Sequence, residues 1–77
     1  MTGAAVDAAV SHGGPTPPGD IETFYRDDQW HNRVEGTFGL LGSYDRKESA
    51  ATAGRRTALE RHVGHVLREP DGRSTRQ

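Results

Sequence analysis

A chain of 77 residues with a hydrophobic fraction of 31% has room for one small domain. It contains no cysteine, which excludes disulfides, cysteine-ligated zinc and thiol chemistry together. The net charge of −1 hides a division: residues 1–45 carry two basic and seven acidic side chains (−5), and residues 46–77 carry eight basic and four acidic ones (+4). Such asymmetry marks either an anionic partner for the basic half or two halves that attract each other, and the second is the simpler expectation. A domain of this size buries only about 60% of the surface its unfolded chain exposes. With disulfides excluded, a second copy of the chain is the cheapest remaining staple.

Residues 1–20 read as a disordered tail rich in Ala, Gly and Pro. An alanine-rich stretch over residues 4–10 falls short of the roughly 12–15 residues at which an isolated helix becomes marginal. The prolines and glycines of residues 13–19 then make a linker. The start lacks a basic leader and Asp7 interrupts its apolar run, so no secretory signal is expected. Nothing approaches the roughly 20 apolar residues of a membrane span. The expectation is a soluble, cytoplasmic protein with no membrane partner.

From Ile21 the pattern becomes that of a single domain over residues 21–77. Residues 21–26 mix β-branched and aromatic side chains and predict a first strand. Asp27 and Asp28 supply a turn. Trp30, Asn32 and Val34 then alternate with His31, Arg33 and Glu35, the period of a half-buried strand. After a turn at residues 35–37, residues 38–43 predict a third strand, with Phe38 and Leu40 on one face and Leu41 on the other. Gly39 and Gly42 weaken that strand and suggest a bulge.

Asp45 reads as a helix N-cap, with Glu48 three residues on returning the bond to complete a capping box. Ala50, Ala53, Gly54, Thr57, Ala58 and Arg61 recur at spacings of three and four. They form a narrow stripe of small residues, so the helix must approach the sheet closely. Leu59 and Val63 pair at its C-terminal end, while Arg55, Arg56 and Glu60 point outward. The helix should stop near His62, with Gly64 as the stop signal. Residues 65–68 predict a fourth strand, and Asp71-Gly72 a tight hairpin. Residues 73–77 can return as a short, charged edge strand whose arginines guard against further pairing. The fold class is therefore α+β: a small antiparallel sheet in the order β-β-β-α-β, with a fifth short strand at its end, covered by one helix. Trp30 is the expected principal core residue beneath the alanine stripe.

Trp30, the helix start Tyr44-Asp45-Arg46-Lys47-Glu48-Ser49-Ala50, Gly54-Arg55-Arg56, Ala58 and the late Asp71-Gly72-Arg73 together resemble a known pattern. It is that of a family of short bacterial proteins catalogued as domain of unknown function 2188. The resemblance spans about residues 21–77. It implies a small α+β fold and brings no established activity with it. Two positions depart from the pattern: Arg46 stands where the family has threonine, and Asn32 stands where valine is expected, placing a polar group on the core face.

The chemistry-bearing residues do not assemble into a catalytic, cofactor or metal motif. His62 and His65 have an (i, i+3) spacing able to share a metal ion, but the pair spans the predicted helix end and Gly64, which leaves their directions unfixed. Ser43, Ser49 and Ser74 lack a nucleophile-elbow context, and the glycines lack the lysine and spacing of a phosphate loop. No enzymatic activity, small-molecule substrate or cofactor is expected. The expected function is a non-enzymatic interaction or structural module that self-associates and acts through the sheet edge or the basic helix. The alternative is nucleic-acid binding by Arg55, Arg56, Arg61, Arg68, Arg73 and Arg76, arranged along the helix and final hairpin. Against it stand a sequence pI of about 6.4 and the scarcity of exposed aromatics on which bases could stack.

Overall fold

The computed structural model describes residues 19–77, so the expectation of a tail lies, up to residue 18, outside the described residues. Among the described residues five strands and one helix follow in the order β1 (Ile21–Arg26), β2 (Gln29–Val34), β3 (Leu40–Tyr44), α1 (Lys47–Arg61), β4 (His65–Arg68) and β5 (Ser74–Arg76). They form one sheet in the spatial order β3-β2-β1-β4-β5, with the helix on one face. The fold is α+β, as the sequence predicts, and β5 is the expected short strand after the Asp-Gly turn.

Gly19 and Asp20, assigned by sequence to the tail, belong to the folded unit. Asp20 is buried, its backbone carbonyl accepts the Glu35 amide at 2.7 Å and its carboxylate accepts the Gly64 amide at 2.9 Å.

Local chemistry accounts for the two hairpins. Asp27 and Asp28 both adopt positive φ (55° and 67°), the geometry a two-residue turn needs to match the twist of its flanking strands. Gly72 takes φ 99° at the second hairpin. Strands β1–β2, β2–β3 and β4–β5 pair antiparallel, with a register shift between Asn32 and Arg33. The central pair, β1 with β4, is parallel, so the sheet is mixed and not antiparallel throughout as expected from the sequence. The helix carries the chain from one end of β3 back across the sheet, and such a crossover delivers the next strand in the original direction.

The alanine stripe packs only in part as its spacing predicts: Arg61 and Leu59 are exposed and Ala51, outside the stripe, is buried, because the helix turns its Ala50, Ala51, Gly54 and Ala58 side to the sheet. Ala50, Ala51, Gly54 and Ala58 are the buried helix residues. Trp30 is 9% exposed and packs with Ala50 and Leu67, with Tyr44 at the margin. Both helix ends differ in detail from the sequence expectation. Arg46, not Asp45, occupies the cap position, in extended geometry and without a side-chain cap hydrogen bond. The predicted capping box is therefore not formed, because Asp45 lies one residue before the position from which a side chain reaches the first free amides. At the other end His62 itself takes the left-handed conformation (φ 59°). Its amide donates to the Leu59 carbonyl at 3.3 Å and that of Val63 to the Ala58 carbonyl at 3.0 Å. That reciprocal pair closes the helix before Gly64 is reached.

The third strand also begins later than expected. Phe38 does not share a strand face with Leu40; it lies in the preceding loop and is 98% exposed. Gly39, next to it, interrupts the extended run.

Candidate functional site

Beneath the helix, at its closest approach, lies a polar network. The Thr23 hydroxyl is 2.5 Å from Asn32 Oδ1 and 2.7 Å from His65 Nε2. Asn32 Nδ2 donates to the Ala50 carbonyl at 2.9 Å. A hydroxyl has one proton, and an amide oxygen can only accept it, so Thr23 donates to Asn32 and accepts from His65. His65 therefore carries a proton on Nε2. Burial pushes its pKa below the ordinary histidine value, and the Arg55 charge adds to the effect. Its Nδ1 is buried without a hydrogen-bond partner among the described residues. A Cβ at Gly54 would meet His65 Nε2 at 2.7 Å, Thr23 Oγ1 at 2.8 Å and Asn32 Oδ1 at 3.0 Å. Only glycine lets the helix sit this low. The departure at Asn32 thus has a structural purpose: its amide ties sheet to helix. Of the two histidines considered for a metal, His65 commits Nε2 to Thr23, while His62 stands exposed in the left-handed turn.

Among the described residues the opposite sheet face is covered by side chains alone. His31, 7% exposed, lies 2.9 Å through Nε2 from the Arg26 carbonyl and 2.7 Å through Nδ1 from the Ser43 hydroxyl. The carbonyl can only accept, so Nε2 carries the proton and Ser43 donates to Nδ1. A hydroxyl–imidazole pair is the elementary unit of nucleophilic catalysis, but Ser43 is exposed on an open sheet face, and the pair here ties β2 to β3. Beside it, Phe24 stacks on His31 with centroids 5.3 Å apart. The Arg26 and Arg33 guanidiniums lie 5.3 Å and 5.0 Å from the Phe24 ring. Glu22 is buried between Arg33, at 2.6 Å, and Arg68. Burial, and then the neighbouring Glu22 charge, raise the Glu35 pKa above the usual carboxylate value.

These ion pairs place the six arginines considered for nucleic acid. Arg68 holds Glu22, Arg76 holds Asp20 at 3.1 Å and Arg73 holds Asp71 at 2.8 Å. Two of the three acids come from the acidic first half, so the halves do attract each other. Arg55, Arg56 and Arg61 lie exposed on the helix; Arg55 donates to Gln77 Oε1 at 3.1 Å. The six therefore divide between the helix and the β4–β5 hairpin.

The sheet ends on two unlike edges. β5 is exposed and polar, Ser74-Thr75-Arg76. At the other edge β3 presents Leu40 (44% exposed) and Leu41 (45% exposed), with Phe38 standing free just before them. Residues 36–44 contain no charged side chain. An uncharged, apolar edge strand is a template for a further strand, which natural sheets usually block. Sequence reading missed the exposure of Phe38 and the edge position of β3; Gly39 is the signal that separates Phe38 from the strand.

Comparison with family models, curated proteins and solved structures finds no match to this chain. No helix among the described residues is long and apolar enough to cross a membrane.

Proposed function

We propose that this domain is a non-enzymatic interaction module that works by adding a strand to the β3 edge. The observation that supports this most directly is that β3, paired on one side only among the described residues, exposes Leu40 and Leu41 with Phe38 in the loop before them, while the second edge is polar. Main-chain hydrogen bonds give such an addition its affinity, and the exposed Leu40 and Leu41 side chains give it selectivity. The cysteine-free composition agrees with a cytoplasmic setting. Membership of the short bacterial family described above is part of the same reading and rests on the Trp30 strand, the helix start and Asp71-Gly72-Arg73. Amide hydrogen exchange tests it. In dilute solution the outward amides of β3 should exchange fast while those of β1 stay protected. Protection throughout β3 under those conditions would mean the edge is already covered within the chain, and would end the proposal.

A second reading, nucleic-acid binding, draws on the exposed helix arginines Arg55, Arg56 and Arg61. Binding to generic DNA or RNA should then weaken steeply with added salt. Absence of binding at low salt removes it.

A further inference from the structure

We infer that the Asp71-Gly72 link is a site of spontaneous backbone isomerisation, that Arg73 holds it closed in the folded chain, and that its reaction strips β5 from the sheet. The inference stands apart from the β3 edge and concerns the opposite border.

An aspartate followed by glycine can cyclise, because no side chain shields the next amide nitrogen. The chain has six aspartates, and only Asp71 precedes a glycine. In the reaction the Gly72 nitrogen bonds to Asp71 Cγ, and the carboxyl hydroxyl leaves with the amide proton as water. Water then adds to either carbonyl of the imide ring and reopens it, to aspartate or to isoaspartate. No electrons are exchanged, and water is the only co-reactant. In the isoaspartate the backbone runs through Cγ and is longer by one carbon.

In the fold both reacting groups are engaged. The Gly72 amide donates to the Glu69 carbonyl at 3.0 Å. One carboxylate oxygen of Asp71 accepts the Arg73 amide at 3.0 Å, and the other accepts Arg73 Nε at 2.8 Å. A carboxylate held by such donors stays ionised, whereas water leaves from the protonated acid. The Arg73 amide bond, and then the Arg73 charge, keep the group below its usual carboxylate range. Burial gives no shelter, since the Asp71 side chain is 55% exposed and that of Arg73 78%. The protection is local, and Arg73 supplies two of the three bonds.

The extra carbon would fall inside the turn, where the Glu69 amide also donates to the Arg73 carbonyl at 2.7 Å. Both backbone closures span residue 71. A longer backbone dislodges them, and with them the pairing of Arg68 with Ser74 and of Leu67 with Thr75. Loss of β5 leaves β4 as the border, His65-Val66-Leu67-Arg68 in place of Ser74-Thr75-Arg76. The reaction thus exchanges a polar border for a more apolar one.

The test follows heavy oxygen. In oxygen-18 water each ring opening fixes a labelled oxygen in residue 71, and trypsin in ordinary water then releases residues 69–73 for mass analysis. The native fold should label slowly. Urea should speed labelling by about tenfold, since each net hydrogen bond released is worth a factor of roughly two to ten. Folded Arg73→Ala, checked by circular dichroism, should label about threefold faster than the native chain, the factor of an exposed ion pair. In urea the two rates should coincide. The isomerised fraction, separated by chromatography, should lose amide protection in β5 and in the β4 amides facing it, while β1 and β2 keep theirs. Asp71→Glu should neither label nor lose β5. Absence of label at residue 71 in urea overturns the inference, as does a folded rate that Arg73→Ala leaves unchanged. An isomerised chain whose β5 amides stay protected overturns it equally.

Discussion

Gly54 decides how far the helix can descend. On an exposed helix, replacing glycine by alanine gains up to about 1 kcal/mol. Here the added methyl would press on three hydrogen-bonded polar atoms that have nowhere to go. Overpacking of this kind costs about 1–3 kcal/mol. Gly54→Ala should therefore lower the melting temperature, reversing the sign expected from helix propensity; a raised midpoint in a thermal melt would show that the helix rides higher. His65 makes a second, pH-dependent point. Its pKa is lowered in the folded state by burial and by Arg55, so below the unfolded value of about 6.5 the unfolded chain binds the extra proton. The contribution of His65 is fully present above that pH and is lost as pH falls through the depressed folded value. Urea unfolding at pH 7.5 and pH 5.5 should show this loss, and His65→Gln should reduce it. Among these residues Asn32 was legible as an anomaly on a core face. Thr23 was not, because nothing in a strand of β-branched and aromatic residues distinguishes a packed hydroxyl from a bonded one.

At the scale of elements, the helix start corrects a prediction and yields a new one. Asp45→Ala should leave the melting temperature nearly unchanged, because the acid sits outside the cap position. Arg46→Ser should instead supply the missing cap, worth ~1 kcal/mol. In a domain this size that raises the melting temperature by about 4–8 °C, and a differential scan of the two variants checks both signs. The existence and order of every element were readable from alternation, small-residue spacing and Asp-Gly, because each depends on neighbours within a few residues. The cap shifted by one position because adjacent polar residues at a helix start are locally equivalent until the backbone chooses between them. Phe38 left its strand for a similar reason: an apolar alternation cannot weigh the conformational freedom of the adjacent Gly39.

Across the whole molecule, charge binds the acidic first half to the basic second half. Glu22 sits buried between Arg33 and Arg68, whose side chains are about a third exposed. Glu22→Gln would remove the carboxylate that Arg33 and Arg68 share. A fully buried pair costs about 3–5 kcal/mol to break, and the exposure of the arginines reduces this to about 2 kcal/mol here. Denaturant titration should show that loss at low salt and a smaller one at high salt. The candidate site belongs to this scale too, which explains why it was hidden in the sequence. Whether β3 lies at an edge depends on the parallel pairing of β1 with β4, made between residues more than forty positions apart, and no local pattern reports it.

That same parallel pairing also governs the order of events as the chain is made. The ladder between Ile21 and His65 cannot close until β4 has been made, so until then the nascent strands form a three-stranded meander with β1 bare along its inner side. Long-range closure of this kind is slow, and during the wait the chain exposes two open borders where the finished fold keeps one apolar border. Synthesis is therefore the moment at which this protein is most exposed to wrongful pairing, and completion of β4 is the step that ends the risk.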